Sequence, residues 1–352
     1  MFKPKYKLNN KIVSMLTSIA EARVVIGKAK LLPKQEINLR RQALIRMTHN
    51  STGIEGNILS LKEVENIIRG FKVDAPMRDI YEVENYLKAI KYIAEVVKKE
   101  KIISKKTILK IHKLVTDKTL PKNQSGFYRT GQVCVVSRRH GFPDRIIYTA
   151  PQAKRVPELM DNLIKWIENS EKENINPVVV AGVVHQEIAA IHPFVDGNGR
   201  TARALATLIL YKTGYDFRKL FALEDYYNKD RPFYYKAISM GENYDERKVD
   251  FTPWIEYFVK GFKEEIENVK RIVVTLSSKK INKDIRSKVY LDENQMKIID
   301  FLESMGKITI KDVVDILNCP RRTAQLQLQK LKKIKMISQK GKGPSSSYVL
   351  AE

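Results

Sequence analysis

HPFVDGNGR, residues 192–200, continued by Thr201, Ala202 and Arg203, separates two segments that are apolar on nearly every face: NPVVVAGVVHQEIAAI (176–191) and TARALATLILY (201–211). A helix that is apolar all round is buried at the centre of a bundle. The polar stretch is therefore expected to join two central helices, which makes the fold a helical bundle with charged chemistry at its heart. With the second helix starting near Gly199, its free backbone N–H groups point into the loop Asp196-Gly197-Asn198-Gly199. Glycines there let an anion approach the backbone closely. Arg200 and Arg203, three apart, share roughly one face of the first turn and suit a polyphosphate. They oppose the helix dipole, a local conflict of the kind found at functional sites. Asp196 among phosphate ligands calls for a bridging cation, and Mg²⁺ is the natural one. His192 stands where an imidazole could take a proton from an attacking hydroxyl near neutral pH. The plainer alternative is a helix–turn–helix corner, since Asp-Gly and Asn-Gly are strong turn formers.

Outward from this loop, helical patterns dominate. Periodicity predicts helices over 36–50, 61–70, 78–99, 104–117, 153–170, 221–244 and 253–272. Residues 124–150 differ: β-branched runs flank Gly-Phe-Pro-Asp (141–144), a β-hairpin signal. The basic polar stretch 276–290 reads as a linker. The organisation expected is an N-terminal helical region (1–110), a core (111–275), the linker, and a separate module (292–352).

The 352 residues, 43% of them hydrophobic, can bury a sizeable core, and length suggests two domains. No run of about 18 apolar residues is present, so no membrane helix is expected. The basic N-terminus lacks a signal-peptide core. Two distant cysteines, Cys134 and Cys319, argue against a disulfide framework and fit a reducing cytoplasm. A net charge of +24 favours polyanionic partners such as nucleic acid or nucleotide phosphates, although a lysine-rich composition that keeps the chain soluble would give the same number.

HPFVDGNGRTAR fills every fixed position of the Fic-family signature, and the chain resembles that family over roughly residues 40–260, including SGFYRTGQVCV (125–135) and LEDYYNKDRPFYYKAI (223–238). The resemblance implies a mainly α fold, a Fic helical bundle with a β-hairpin flap. It also implies Mg²⁺-dependent transfer of AMP from ATP to a Ser, Thr or Tyr hydroxyl of a protein, with pyrophosphate released. In that scheme His192 is the general base, Phe194 anchors the loop, and Asp196 holds the metal. Gly197, Asn198 and Gly199 form the anion hole. Arg200, Thr201 and Arg203 bind phosphates, and Tyr235 lies beside adenine. The flap, about Val133 to Arg139, pairs with an extended target segment by strand addition, with Val135, Val136, Ser137 and Arg138 also covering the nucleotide. Where relatives often carry Asn seven residues after that tyrosine, this chain has Glu242.

STGIEGN (51–57) is similar to a second family motif, found in members with an N-terminal inhibitory helix. That resemblance implies that Glu55, with Ser51, engages Arg203 and occupies the arginine meant for the γ-phosphate. Read without it, Glu55 is a surface residue and Ser51 a helix cap. His185, seven before His192, is not at a usual zinc spacing and reads as a core histidine; His49 and His112 carry no expected role.

Residues 292–352 read as helix, short strand, two helices, then strand, Gly-rich tip and strand, the order of a winged helix-turn-helix. Ala324, Leu326, Leu328 and Leu331 are its packing candidates. From Gly306 onward ten Lys or Arg face three Asp or Glu, 10 − 3 = +7. Arg321, Arg322, Lys340 and Lys342 could meet phosphates, and Gln325 and Gln327 base edges; protein docking is the alternative. The function expected is therefore an autoinhibited protein adenylyltransferase, with self-modification and a homo-oligomer among its expected partnerships. The alternative is a DNA-binding regulator with a nucleotide-sensing Fic core.

Overall fold

The computed structural model describes residues 2–99, 102–137, 145–247, 249–278, 291–341 and 346–351. It divides into two compact units: residues 1–27 with 40–271, and residues 28–39 with 272–352.

The first unit opens with α1 (Asn10–Lys28), a helix the periodicity reading passed over. Ile12, Met15, Ile19, Ala22 and Ile26 recur three and four apart and are buried. Next comes α2 (Pro33–Ile54), which runs through Ser51 to the residue before Glu55, beyond the expected end at 50. Then follow α3 (Leu61–Ile68), started by a Ser60/Glu63 capping box, α4 (Met77–Lys99), and α5 (Lys105–Val115), capped by Ser104. The hairpin strands are β1 (Cys134–Ser137) and β2 (Arg145–Thr149), paired antiparallel with Val135 opposite Tyr148 and a bulge after Val135. The expected turn at 141–144, with Arg138, lies outside the described residues.

Helix α6 (Val156–Lys172) leads to the central pair. In α7 (Pro177–Ile191), Pro177 takes the first position and the Asn176 side chain accepts from the Val178 amide. Apolar side chains on every face then bury almost the whole helix. It meets α8 (Asn198–Lys212), whose residues Thr201 to Tyr211 are all buried. The single helical region expected at 221–244 is instead two short helices, α9 (Glu224–Lys229) and α10 (Arg231–Ile238). Asp230 breaks the run at φ −142° and caps α10, which carries Pro232 in its first turn. Helix α11 (Thr252–Ser278) extends past 272; Trp254 Nε1 donates to Gly182 O at 2.7 Å, and a Cβ at Gly182 would sit 3.2 Å from the Phe258 ring.

In the second unit α12 (Glu293–Met305) begins with an Asp292/Gln295 capping box and ends at Gly306, φ 76°. Strand β3 (Ile308–Thr309), α13 (Ile310–Leu317), α14 (Arg321–Lys333), β4 (Ile337–Lys340) and β5 (Ser347–Leu350) follow, with an antiparallel sheet in the order β3-β5-β4. Ile298, Leu302, Val313, Ala324, Leu328, Leu331 and Ile337 form its core, joined by Ile37 from the 28–39 segment. Two expectations on α14 fail. Leu326 is half exposed, and Gln327 is buried, so it faces the core and not a ligand. No helix among the described residues is long and apolar enough to cross a membrane, and Cys134 and Cys319 are both free.

Candidate active site

Helix α7 ends where His192 adopts a left-handed backbone, φ 49° and ψ 58°. That conformation is uncommon for a residue with a Cβ, and it turns the chain out of the helix into the loop. The His192 Nδ1 lies 3.2 Å from Ala189 O. A carbonyl oxygen can only accept, so Nδ1 carries the hydrogen, and Nε2 is left with its lone pair. Burial pushes the imidazole pKa below its ordinary 6.5, opposed by the Ala189 hydrogen bond. The group is therefore a neutral imidazole with a fixed tautomer, suited to accept a proton.

The loop that follows is closed by its own side chains. Asn198 clamps the Phe194 backbone in both directions: Phe194 N–H donates to Asn198 Oδ1 and Asn198 Nδ2 donates to Phe194 O, each at 2.9 Å. The amide of Asn198 is thus the part free to serve an anion, while its side chain sets the loop. Gly197, φ 78°, is the residue before α8, and a Cβ on it would come 2.7 Å from Thr116 Cγ2. The Gly197 amide donates to Asp196 Oδ1 at 2.6 Å. No side chain caps the start of α8, so its first amides face the loop as donors.

Both arginines of the motif are buried. Arg200 Nη1 lies 3.2 Å from Glu82 Oε1, and its Nη2 lies 3.5 Å from Asp196. Arg78, exposed on α4, joins the same pair of acids, with Nη2 3.2 Å from Asp196 Oδ2 and Nε 3.3 Å from Glu82. Asn57 completes the cluster by donating to Glu82 Oε2 at 3.0 Å. Arg203 donates from Nη2 to Glu55 Oε1 and to Ser51 O, both 2.8 Å, and from Nε to Ser51 Oγ at 2.9 Å. Burial works against that guanidinium, but Glu55 and the neighbouring tyrosines hold its pKa above the usual arginine value. The Glu55 carboxylate also lies against the start of α8: a Cβ at Gly199 would collide with Glu55 Oε1. Thr201 is wholly buried, its amide bonded to Gly197 O and its hydroxyl without a partner among the described residues. The Tyr235 hydroxyl donates to Ile54 O at 2.7 Å, beside Glu55.

Asp196 is one carboxylate, about a third exposed, at the mouth of the loop. Among the described residues no cluster of three His, Cys, Asp or Glu stands ready for a metal. A single accessible carboxylate fits Mg²⁺, which takes few protein ligands and completes its shell with water and phosphate oxygens. Of the flap, Val135 is partly buried and Val136 exposed on β1. At the end of β2, Thr149 bridges to residues 242–244, through Thr149 N–H to Glu242 O (2.8 Å) and Tyr244 N–H to Thr149 O (3.1 Å). The outer edge of β1 has no partner among the described residues.

Three residues of this region escaped the sequence reading. His112 stacks face to face on Phe194, centroids 3.6 Å apart. Its Nε2 meets Asp196 O at 3.0 Å, and its Nδ1 accepts from the Gly126 amide at 2.9 Å. Burial holds its pKa down at about 4, so it stays a neutral donor that pins the loop. Glu82 and Arg129 are the others. The available signal for His112 was its place on the apolar face of α5, with Ile108, Ile111 and Val115. His185 is the core histidine expected, fully buried with Nε2 3.0 Å from the Tyr234 hydroxyl and Trp254 edge-on.

Residues 102–210 match the Fic/DOC family. The chain is 30% identical over 203 residues to a protein adenylyltransferase Fic of Aedes aegypti, which covers 57% of this chain but only 36% of that protein. It therefore spans little more than a third of that relative. Among solved structures, a Fic family protein from Desulfovibrio desulfuricans aligns over 99% of this chain and 98% of its own, with 25% identity and a TM-score of 0.63. A Fic-domain-containing signaling protein from Bacteroides thetaiotaomicron shares the fold at 18% identity, TM-score 0.61, over 78% of this chain and all of its own. Residues 102–210 thus match the Fic/DOC family, and over about 200 residues the chain is similar to known Fic adenylyltransferases.

Proposed function

We propose that this protein transfers AMP from Mg²⁺-ATP to a Ser, Thr or Tyr hydroxyl of a protein, its own chain included. The observation that carries the reading is a neutral, tautomer-fixed His192 beside an uncapped helix start flanked by buried Arg200 and Arg203. The kinship with Fic adenylyltransferases supports it at the level of the family. His192 Nε2 takes the proton as the hydroxyl oxygen bonds to the α-phosphorus. The bond from that phosphorus to the bridging oxygen breaks, and pyrophosphate leaves with the electron pair. The amides of Asn198 and Gly199 and the guanidinium groups of Arg200 and Arg203 neutralise the charge that develops on the phosphates. Asp196 would hold Mg²⁺, which supplies further charge neutralisation when bound. The unpaired edge of β1 would take a target segment as an added strand.

Glu55 makes the resting state inactive on this reading. It occupies Arg203 and the start of α8, where phosphates belong, and α2 with Ser51 serves as the inhibitory element. Intact-mass measurement after incubation with Mg²⁺ and ATP tests the assignment. Adenylylated protein should form with the Glu55→Gly variant, and at least about 100-fold more slowly with Glu55→Gly/His192→Ala.

The depressed pKa of His192 gives a pH signature. The base is active when neutral, and its neutral fraction falls only as pH drops through a value below 6.5. The transfer rate should be level from about pH 8 down to the ordinary histidine range, then decline. A decline already complete above 6.5 contradicts the assignment.

For residues 292–352 we propose a winged helix-turn-helix that contacts nucleic acid through Arg321, Arg322 and Lys340, with Lys342 outside the described residues. Arg321, Arg322, Gln325 and Lys340 are exposed on α14 and β4, and this carries the proposal. Three phosphate contacts would give a slope of log K against log salt of about −2.5 to −3 on mixed duplex DNA. Absence of binding, or binding insensitive to salt, would assign this module to protein docking.

A further inference from the structure

At the base of the flap one buried guanidinium reaches three backbone carbonyls from three different parts of the site. Arg129 is 3% exposed. Its Nε donates to His192 O at 2.8 Å, its Nη1 to Gly131 O at 2.8 Å, and its Nη2 to Pro151 O. Its own amide donates to Pro193 O at 2.9 Å. Gly131 lies just before β1 and Pro151 just after β2, so both roots of the hairpin and the carbonyl of the general base hang on one planar group. The roots are closed on each other as well, by Gln132 Nε2 to Ala150 O at 2.6 Å and Ala150 N–H to Val133 O at 3.3 Å.

The acceptors are all carbonyls, and no carboxylate pairs with Arg129 among the described residues. Its charge is therefore not spent on neutralising an acid, and burial lowers its pKa from the usual arginine value. Keeping a cation in such a place costs free energy, which charge-assisted bonds with fixed directions offset. The directions matter because His192 holds a left-handed backbone, φ 49°, which is disfavoured for a residue with a Cβ. Two bonds secure that residue's peptide groups: its amide to Ile188 O at 3.0 Å, and its carbonyl from Arg129. The left-handed turn is what leads the chain from α7 into the loop, with the imidazole held on Ala189 O.

We propose that Arg129 is a positioning residue that couples the flap to the general base. This rests on the adenylyl-transfer reading above. With flap roots and His192 carbonyl held by one rigid fork, a hydroxyl presented on the edge of β1 arrives at a set distance from His192 Nε2. Phosphates bind elsewhere, at Arg200, Arg203 and the start of α8, so coupling should govern the rate of transfer and not the affinity for ATP. A lysine keeps the charge but has no planar fork to span three diverging carbonyls.

The test uses the full chain carrying Glu55→Gly, with and without Arg129→Lys, and a second variant, Arg129→Gln. Three quantities are measured: AMP transfer to the chain itself or to lysate protein, ATP affinity by calorimetry, and amide exchange over 131–137, 145–151 and 192–194. The expected result is unchanged ATP affinity, transfer slowed about 100-fold as for a misplaced reactive pair, and faster exchange at the flap roots and His192 together. Transfer at the parental rate overturns the coupling, and so does ATP affinity lost in step with rate, which would mark Arg129 as a general structural residue. Absence of transfer from Glu55→Gly alone would instead count against the adenylyl-transfer reading itself.

Discussion

Replacing Glu55 by glycine is expected to raise AMP transfer about 10- to 100-fold at saturating ATP. Arg203 is buried, while the Glu55 side chain is about a quarter exposed, and they meet at 2.8 Å. A fully buried pair broken on one side costs about 3–5 kcal/mol and an exposed one under about 1. This geometry sits between, at roughly 1–3 kcal/mol, which is the free energy a productive triphosphate must overcome to claim Arg203. The same substitution strips a counter-charge from a buried guanidinium. The nucleotide-free variant should therefore melt at a lower temperature than wild type, and ATP should restore more of that loss than it adds to wild type. The Ser51 bonds to Arg203 remain in the variant, so the guanidinium keeps its place for a phosphate. Equal transfer by the two proteins would remove Glu55 as a switch.

His192→Ala, introduced into the Glu55→Gly chain, is expected to lower transfer by about 10²–10⁴-fold, the range of a lost general base. ATP affinity should stay, because the amides of α8, Arg200 and Arg203 are untouched. The loop should keep its shape too, since Asn198 clamps Phe194 and His112 stacks beneath it independently of the imidazole of residue 192. A matched loss of ATP binding would mean that His192 serves the pocket's architecture. Calorimetry alongside the rate separates the two.

What could be read from the sequence follows a physical line. Helices α7 and α8 and the loop between them were legible because all-round apolar runs broken by Asp-Gly-Asn-Gly are local signals. The hairpin was legible for the same reason. Asn198 shows the limit: its amide fits the expected anion hole, but its side chain closes the loop on Phe194, a contact no spacing rule foretells. His112, Glu82 and Arg129 act through partners 63 to 118 positions away, and without an alignment such pairings leave no trace in periodicity. Gln327 and Leu326 on α14 exchange their expected roles, the amide buried and the leucine exposed, because α14 presents its face to the core of its own unit in a register the polar residues obscure. The split of 221–244 turns on Asp230, whose side chain caps α10 at the Phe233 amide while Pro232 occupies the first turn.

The most direct test of the account is to give the Glu55→Gly protein ATP labelled either at the α- or at the γ-phosphate, with Mg²⁺, and to follow which label becomes bound to protein. The expected result is α-label alone, lowered at least about 100-fold when His192 is also replaced by alanine. Protein-bound γ-label, or α-label that persists undiminished without His192, would contradict the claim that this imidazole and the uncapped start of α8 carry out adenylyl transfer.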